Sequence, residues 1–181
     1  MSLPPWHETA VDRKHRRKEF DCGDGELNEY LQRYARQNHQ NGVANAYVAA
    51  LNEDPAKVIG YYTTTMAEIA CDHVPQNIIK PVGQYPIPCV RLGRLAVDTG
   101  WQGMSLGGRL LLNAGERAVE AAQHAATRCV LIDAKNDRVA KYYESFGAVR
   151  LADHSLTLVW PLGTIRAALE ALKQRAQSAQ S

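Results

Sequence analysis

Hydrophobic and polar residues along the first half of the chain alternate between the spacing of a helix and the spacing of strands. Over 24–38 the apolar side chains return every three or four positions, which predicts an amphipathic helix with Tyr34 on its apolar face. Runs rich in Val, Tyr, Thr and Ile follow at 44–51 and 57–69. The turn-forming residues 52–55 between those runs predict a β-hairpin.

The second half predicts strands that alternate with helices. Residues 71–88 contain four prolines and no periodicity, so we expect irregular structure there. The elements predicted after it are a strand around Val90, a helix over 106–122, a strand from Cys129, a helix that carries Tyr143, short strands at 148–152 and 155–160, and a polar helix over 164–177. The fold class expected is α/β (α+β), with a mixed central sheet flanked by helices. We expect one domain over 1–162 and a polar helix or tail over 163–181.

Composition agrees with a single domain that works in the cytoplasm. The chain has 181 residues and is 45% hydrophobic, which is enough for one substantial core. It has no run of about 18 apolar residues, and its first residues do not resemble a signal peptide, so we expect neither a membrane span nor secretion. The four cysteines are scattered and have no metal-ligand spacing, which predicts thiols in a reducing cytosol and no metal site.

A glycine-rich turn between a strand and a helix is the strongest candidate for chemistry. The apolar strand 90–98 runs into 101–108, and a helix opens directly from that turn. Small side chains let backbone N–H groups close around an anion, and the helix N-terminus adds its positive dipole end. A P-loop is excluded because no Lys follows Gly107 or Gly108, and the glycine spacing does not fit a dinucleotide fingerprint.

A second constellation lies downstream of this turn. Residues 129–134 predict a short buried strand, and either Asn136 or Asp137 is suited to cap the helix that follows. That helix carries Tyr143 among its apolar residues and is expected to end at Gly147. Taken alone, Tyr143 is better explained as a core aromatic residue on an amphipathic helix.

These two segments resemble the GNAT N-acetyltransferase superfamily. Gln102 to Gly107 is similar to its acyl-CoA pyrophosphate loop, Arg/Gln-x-x-Gly-x-Gly/Ala, although Ser105 stands at a glycine position. If φ at Ser105 is positive, the residue is strained. Residues 136–147 are similar to the motif Asn-x-x-Ala-x-x-hydrophobe-Tyr-x-x-hydrophobe-Gly, with Val139 in the alanine place.

The resemblance implies that acetyl-CoA is the cosubstrate and that Tyr143 is the general acid that protonates the departing thiolate. An unperturbed phenol has a pKa of about 10 and holds its proton at pH 7. Tyr142 lies about 100° further round the helix, so the motif register selects Tyr143. The cofactor-binding residues implied are Leu95, Ala96, Val97, Gln102, Gly103, Met104, Ser105, Leu106, Gly107, Gly108 and Asn136.

Further stretches resemble one branch of the superfamily, the acetyltransferase toxins of toxin–antitoxin pairs. The stretches are 21–38, 60–63 and 88–98, and with the Tyr143 region the resemblance covers roughly 20–162. It implies acetylation of the α-amine of an aminoacyl-tRNA, which blocks translation. It also implies a ribbon–helix–helix antitoxin as partner and a homodimer.

The charge pattern is compatible with a nucleic-acid substrate. Net charge is only +2, but residues 13–18 are six consecutive basic or titratable side chains. The run is also consistent with an ordinary solvated face. The candidate nucleic-acid-binding residues are Arg16, Arg17, Arg33, Arg36, Arg91 and Arg94.

The sequence shows no strong general base, although Glu68 and Asp98 are candidates for a proton acceptor or for structural roles. An α-amine has a pKa near 8, whereas a lysine side chain has a pKa of about 10.4. Because an α-amine is already partly neutral at pH 7, it needs the help of a base less. Two alternatives remain. One is a GNAT enzyme that acts on a small amine or a protein N-terminus. Binding of a small neutral amine would respond little to added salt. The other is a non-catalytic protein that binds CoA or an antitoxin without turnover.

Overall fold

The computed structural model describes residues 2–80, 83–151 and 156–178. The strands are β1 Trp6–Ala10, β2 Asn45–Leu51, β3 Val58–Ile69, β4 Ile87–Val97, β5 Cys129–Asp133, β6 Val149–Arg150 and β7 Thr157–Pro161. The helices are α1 Gly25–Glu29, α2 Ala35–Gln40, α3 Leu106–Ala121, α4 Asp137–Glu144 and α5 Leu162–Ser178. Short 3₁₀ turns cover Arg17–Glu19, Cys71–His73 and Thr99–Trp101.

The strands hydrogen-bond in the order β1-β2-β3-β4-β5-β7-β6. Strands β4 and β5 pair in parallel, whereas β2 pairs antiparallel with β1 and β3, and β7 pairs antiparallel with β5 and β6. The predicted mixed sheet with flanking helices is therefore confirmed. The predicted hairpin is formed by β2 and β3, and the predicted second-half helices are α3, α4 and α5.

The first of two compact units contains the described residues up to 65 and residues 93–113. Its core is centred on Tyr61, which is fully buried. The Tyr61 ring lies edge-on to Phe20, with 5.5 Å between centroids, and stacked with Tyr30 at 6.4 Å. The Tyr61 hydroxyl donates a hydrogen bond to the carbonyl of Leu27 at 2.8 Å, so its polar end is satisfied inside the core.

The helix predicted over 24–38 forms, but a π-helical turn interrupts it at Tyr30–Tyr34. Asp24 caps α1, since its carboxylate accepts hydrogen bonds from the amides of Glu26 and Leu27. The amide of Ala35 bonds to the carbonyl of Tyr30, five residues back, so the turn contains one residue more than an α-turn.

This change of phase corrects the predicted apolar face of the helix. Tyr34 was expected to point inward, and it is 47% exposed. Ala35 is fully buried instead, while Tyr30 and Leu31 are consecutive core residues. Periodicity at the α-helical spacing does not detect a single extra residue in one turn.

The edge strand β1 was missed by the sequence analysis. Its five residues, Trp-His-Glu-Thr-Ala, are all half-buried and show no alternation of polar and apolar positions. It pairs antiparallel with β2. The carboxylate of Glu8 accepts hydrogen bonds from the Tyr62 hydroxyl at 3.0 Å and from the Asn113 side-chain amide at 2.7 Å.

The second unit contains residues 66–92 and the described residues from 114 onward. Trp160 on β7 is fully buried, and its indole Nε1 donates a hydrogen bond to the carbonyl of Phe146 at 2.9 Å. Gly115 lets α3 approach closely, because a Cβ there would lie 2.9 Å from both the Trp160 ring and Ile165. Trp160 is therefore enclosed on several sides.

Some predicted element ends fall outside the described residues. Ala152 and Ser155, which were to end and to begin the two short strands, are among them, as are 179–181 of the predicted tail. Residues 81 and 82 of the predicted irregular stretch are too. Within the described part of the chain, no helix is both long and apolar enough to span a membrane.

We expect Trp160→Phe to lower the free energy of unfolding by about 2 kcal/mol. The substitution leaves a void and removes the donor to the Phe146 carbonyl. Urea denaturation measures the effect, and Trp6→Phe on the half-buried β1 is the control with a change below about 0.5 kcal/mol. Equal losses for both variants would contradict a central role for Trp160.

Candidate active site

The end of β4 is held by the buried carboxylate of Asp98, which is 8% exposed. One carboxylate oxygen accepts a hydrogen bond from the amide of Asp21 at 3.0 Å, and the other accepts from the amide of Gly100 at 3.0 Å. The amide of Thr99 in turn donates to the carbonyl of Asp21 at 2.8 Å. The chain before α1 and the turn after β4 are therefore fastened to each other.

The neighbouring motif residues brace the same junction. The Asp21 carboxylate accepts hydrogen bonds from the Gly23 amide at 2.9 Å and from the Asn28 side chain at 2.7 Å, and these lower the pKa of Asp21. The side-chain oxygen of Asn28 accepts from the amide of Cys22. The motif Asp21-Cys22-Gly23…Asn28 thus has a scaffolding role that sequence reasoning did not assign, although its fixed spacing was a signal.

Gln102 belongs to this brace as well. Its side-chain amide donates to the carbonyls of Val97 at 2.9 Å and Cys22 at 3.1 Å. The side chain therefore ties the glycine-rich loop to the end of β4. Sequence reasoning placed Gln102 among the cofactor-binding residues, and in the structure this exposed side chain holds the loop to the end of β4.

The loop then turns through two residues with left-handed backbone. Gly103 has φ +77°, and a Cβ there would meet nothing within 4 Å. Ser105 has φ +63°, so the residue at the usual glycine position does adopt the conformation that strains a side chain. Such strain at a loop before a helix is a common mark of a binding site.

Helix α3 begins directly after this turn. The amide of Arg109 bonds to the carbonyl of Ser105, which makes Ser105 the residue before the first helical turn. The amides of Leu106, Gly107 and Gly108 are the ones that a helix leaves without an internal partner. No side chain in the described part of the chain accepts from them, so they are available to an anion such as the pyrophosphate of acetyl-CoA.

Close packing places α3 against the strands of the first unit. Gly60 on β3 makes this approach feasible, since a Cβ there would lie 2.8 Å from Leu110 and 3.3 Å from Leu106. The same Cβ would lie 3.2 Å from the carbonyl of Ala96. Leu95, Ala96 and Val97 form the last residues of β4, immediately before the Asp98 junction. Within the first unit, the structure brings together all the predicted cofactor-binding residues except Asn136.

Asn136 and Tyr143 lie in the second unit, at the beginning and near the end of α4. The Asn136 side-chain oxygen accepts a hydrogen bond from the amide of Val139 at 3.0 Å. Of the two cap candidates in the sequence, Asn136 and Asp137, it is therefore Asn136 that caps α4. Gly147, with φ +93°, lies just past the end of the helix. Its backbone conformation is one that glycine adopts without strain.

The two adjacent tyrosines have different environments. Tyr143 is 7% exposed, whereas Tyr142 is 40% exposed. Burial, and to a lesser degree Tyr142, raises the pKa of Tyr143 to about 12. The Tyr143 hydroxyl makes no hydrogen bond to any residue in the described ranges. A protonated phenol with a free hydroxyl is what a general acid requires.

The basic run at 13–18 is not a uniform charged face. His15 is buried, and desolvation lowers its pKa, so it is neutral at pH 7. Arg16 pairs with Asp54 and Glu19. The Arg17 guanidinium donates to the carbonyls of Leu31 and Gln32.

The other candidate arginines are bound less tightly. Arg33 pairs with Glu29 but keeps 69% of its side chain exposed. Within the described ranges, the one hydrogen bond of Arg36 is a long contact of 3.5 Å to Gln40. Arg94 lies over the Tyr30 ring, 3.6 Å from its centroid. Arg91, in the second unit, pairs with Asp133 at 3.4 Å.

Among the described residues, no group of three or more His, Cys, Asp or Glu side chains is arranged to hold a metal ion. Cys22, Cys71, Cys89 and Cys129 are free thiols. Glu68 lies on β3 and Asp98 is committed to its two amide donors. Of the two roles considered for Asp98 from the sequence, proton acceptor and structural residue, these hydrogen bonds support the structural one.

Comparison with known proteins identifies the family. No family model matches the chain. The tRNA-acetylating toxin of Mycobacterium tuberculosis (strain ATCC 25618 / H37Rv) is 32% identical over 127 residues, which cover 70% of this chain and 74% of that protein. The chain belongs to the family of tRNA-acetylating toxins. The resemblance to acetyltransferase toxins, and with it the prediction of an acetyltransferase, is confirmed.

Solved structures agree with this membership. The chain is similar to AtaT complexed with acetyl-methionyl-tRNAfMet. The TM-score is 0.84, and the two are 25% identical over 91% of this chain and 99% of that chain. It is also similar to AtaTR bound with AcCoA, with a TM-score of 0.78 and 26% identity over 91% of this chain and 98% of that chain. The predicted fold class is confirmed over nearly the whole length of those chains.

We expect Ser105→Gly to raise the free energy of unfolding by about 0.5–1 kcal/mol, because glycine adopts φ +63° without strain. The matched control is Ser145→Gly, where φ is −64° at the end of α4 and glycine should be destabilising by a similar amount. Urea denaturation of both variants measures the difference. Destabilisation by both substitutions would mean that Ser105 is not strained.

Proposed function

We propose that this chain transfers the acetyl group of acetyl-CoA to the α-amine of an aminoacyl-tRNA and thereby blocks translation. The observation that carries the proposal is the identity of 32% to a tRNA-acetylating toxin over 70% of the chain. The similarity to AtaT complexed with acetyl-methionyl-tRNAfMet, at 25% identity, supports the same substrate class.

The glycine-rich loop of the first unit fits the phosphates of acetyl-CoA. The free amides of Leu106, Gly107 and Gly108 point out of the N-terminus of α3, where the helix dipole favours an anion. Gly103, Met104 and Ser105 shape the turn, and Gln102 holds it to β4. We assign the pantetheine arm to the backbone groups of Leu95, Ala96 and Val97.

Asn136 has two roles in the proposal. Its side-chain oxygen caps α4, which leaves the side-chain NH₂ as a donor for the cofactor. The same cap fixes the start of the helix that carries Tyr143. Loss of the cap would therefore disturb both groups.

Tyr143 donates the proton that the departing thiolate takes up. Its pKa of about 12 keeps the phenol protonated throughout the physiological range. A backbone N–H of β4 stabilises the negative charge that develops on the thioester oxygen during attack. Acetyl-CoA supplies the activated acetyl group, and the chain orients it and delivers one proton to the sulfur.

The nucleophile needs little help from the protein. An α-amine with a pKa near 8 is partly neutral at pH 7, so water is a sufficient proton acceptor. Because Asp98 is committed to its backbone donors, it is not available as a base. This favours an α-amine over a lysine side chain as the acceptor group.

We assign the contacts with tRNA phosphates to arginines that are well exposed or that have no carboxylate partner among the described residues. Arg33, Arg36 and Arg94 have the most available guanidinium groups, so we assign them the main contacts. Arg91 can leave its exposed partner Asp133 for a phosphate. We keep Arg16 and Arg17 as weaker candidates because both are engaged inside the first unit.

The family also suggests the partners and the place of action. A solved structure shows a mutant of the toxin AtaT bound to the C-terminus of the antitoxin AtaR. We propose an antitoxin of the ribbon–helix–helix class for this chain. We further propose that it is a homodimer. Aminoacyl-tRNA is a cytoplasmic substrate, so we place its activity in the cytoplasm, within a single catalytic domain over 1–162 followed by the C-terminal helix and tail.

The first test is transfer of labelled acetyl groups from acetyl-CoA to a pool of charged tRNA. Label is expected on charged tRNA and absent from uncharged tRNA, because only the charged form carries the α-amine. Transfer should respond steeply to added salt, since binding releases counterions from the phosphates. Label on small amines or protein N-termini that responds little to salt would support the small-amine alternative instead. Binding of acetyl-CoA without transfer to any amine would support the non-catalytic one.

A second prediction concerns Tyr143 directly. Tyr143→Phe should keep the affinity for acetyl-CoA and reduce turnover by about 10²–10⁴-fold, because only the proton donor is lost. Turnover of the wild type should rise with pH as the amine deprotonates near pH 8, and should fall only as pH approaches the Tyr143 pKa of about 12. The matched control is Tyr142→Phe, which should remain active. Full activity of Tyr143→Phe would remove Tyr143 from the mechanism.

A further inference from the structure

A pocket of about 620 Å³ opens in the second unit where α5 begins. It involves none of the residues assigned above to acetyl-CoA or tRNA. Its wall combines residues of the segment between β3 and β4, the two residues before β5, the turn from α4 into β6, and the first turn of α5. The polar and glycine residues on which the argument depends are Lys80, Thr127, Arg128, Gly163, Thr164 and Arg166.

The charge of this pocket is entirely positive. Lys80, Arg128 and Arg166 line it, and no Asp or Glu is among the described residues of its wall. None of the three cations forms an ion pair with a residue in the described ranges, unlike Arg16 and Arg33 of the first unit. Uncompensated positive charge in a concave site attracts an anion.

The first turn of α5 adds backbone donors. Pro161 has no N–H, and the amide of Leu162 is used by the carbonyl of Arg128 at 3.2 Å. The amides of Gly163 and Thr164 have no acceptor among the described residues. A Cβ at Gly163 would meet nothing within 4 Å, so the backbone there is open to a ligand. A helix of 17 residues contributes its full dipole at this end.

A buried hydroxyl provides an independent observation. Thr127 is only 8% exposed and lines the pocket. Its Oγ1 is a buried polar atom for which the described residues supply no hydrogen-bond partner. Buried polar groups are nearly always satisfied in native proteins, so a partner from outside the chain is expected.

We propose that this pocket binds a phosphate group. The amides of Gly163 and Thr164 and the hydroxyl of Thr127 donate hydrogen bonds to its oxygens, while Arg128, Arg166 and Lys80 balance its charge. The phosphate belongs either to the backbone of the RNA substrate or to a free phosphate. The RNA source rests on the proposed function, whereas the phosphate site itself does not.

Inorganic phosphate is the first probe, with the full-length protein labelled with ¹⁵N. Phosphate should shift the amide resonances of Gly163 and Thr164 saturably, relative to sodium chloride at the same ionic strength. Thr127→Val and Arg166→Gln should weaken the binding about 10-fold or more, because each removes one donor to a charged group. The control Arg175→Gln removes the same charge from the exposed end of α5 and should bind as the wild type does.

Deacylated tRNA then distinguishes the two sources. If the pocket holds an RNA phosphate, Arg166→Gln should reduce the slope of log affinity against log salt by about 1, compared with Arg175→Gln. If the slope is unchanged while phosphate binding is lost, the pocket serves a free phosphate.

The proposal is overturned if phosphate leaves both amides unmoved, or if Thr127→Val and Arg166→Gln bind phosphate like the wild type. Failure of acetyl transfer to charged tRNA would contradict the proposed function alone. It would leave the phosphate titration of Gly163 and Thr164 unaffected, so the two failures are distinguishable.

Discussion

The buried carboxylate of Asp98 is the constraint on which the cofactor loop depends. It stands at the end of β4 and holds two backbone amides, that of Asp21 from the chain before α1 and that of Gly100 from the turn. A neutral side chain at this position would hold the two amides more weakly, because hydrogen bonds to an ionised acceptor are about twice as strong as those to a neutral one. Once this junction is fixed, Gln102 anchors the next residues and α3 begins at a defined place. The open amides of α3 therefore owe their position to a residue that need not touch the substrate.

Sequence patterns predicted most of the fold because the hydrophobic periods of its longer elements are strong. The β2–β3 hairpin, α3 and α5 follow directly from those periods, as does the order of strands and helices in the second half. The edge strand β1 was missed because each of its residues is half-buried, which removes the alternation that marks a strand. The prediction that Tyr34 lies on the buried face was wrong because a π-turn changes the helical phase. The hydrogen bond from the Ala35 amide to the Tyr30 carbonyl that marks this turn has no signature in the pattern of hydrophobic and polar residues.

The candidate site was predictable to a different degree. Its residue types and spacings could be identified from the resemblance, because loop and tyrosine motifs are local in sequence. The role of each residue within these motifs could not be predicted. Gln102 supports the loop through side-chain hydrogen bonds. In the basic run, Arg16 and Arg17 are engaged by a carboxylate and by carbonyls that are distant in sequence. A count of cations along the chain says little about surface potential, because long-range contacts decide which charges remain available.

The π-turn in the first long helix also bears on how relatives of this chain should be aligned. Removing one residue from Tyr30–Tyr34 would restore a regular α-helix, while each residue of an α-helix accounts for about 100° of rotation. A deletion at this point would therefore preserve the inward faces on both sides, whereas a deletion one turn earlier or later would turn α2 away from its core. We therefore expect length variation among homologues to concentrate at this turn, because a one-residue deletion there keeps the helical phase of α2.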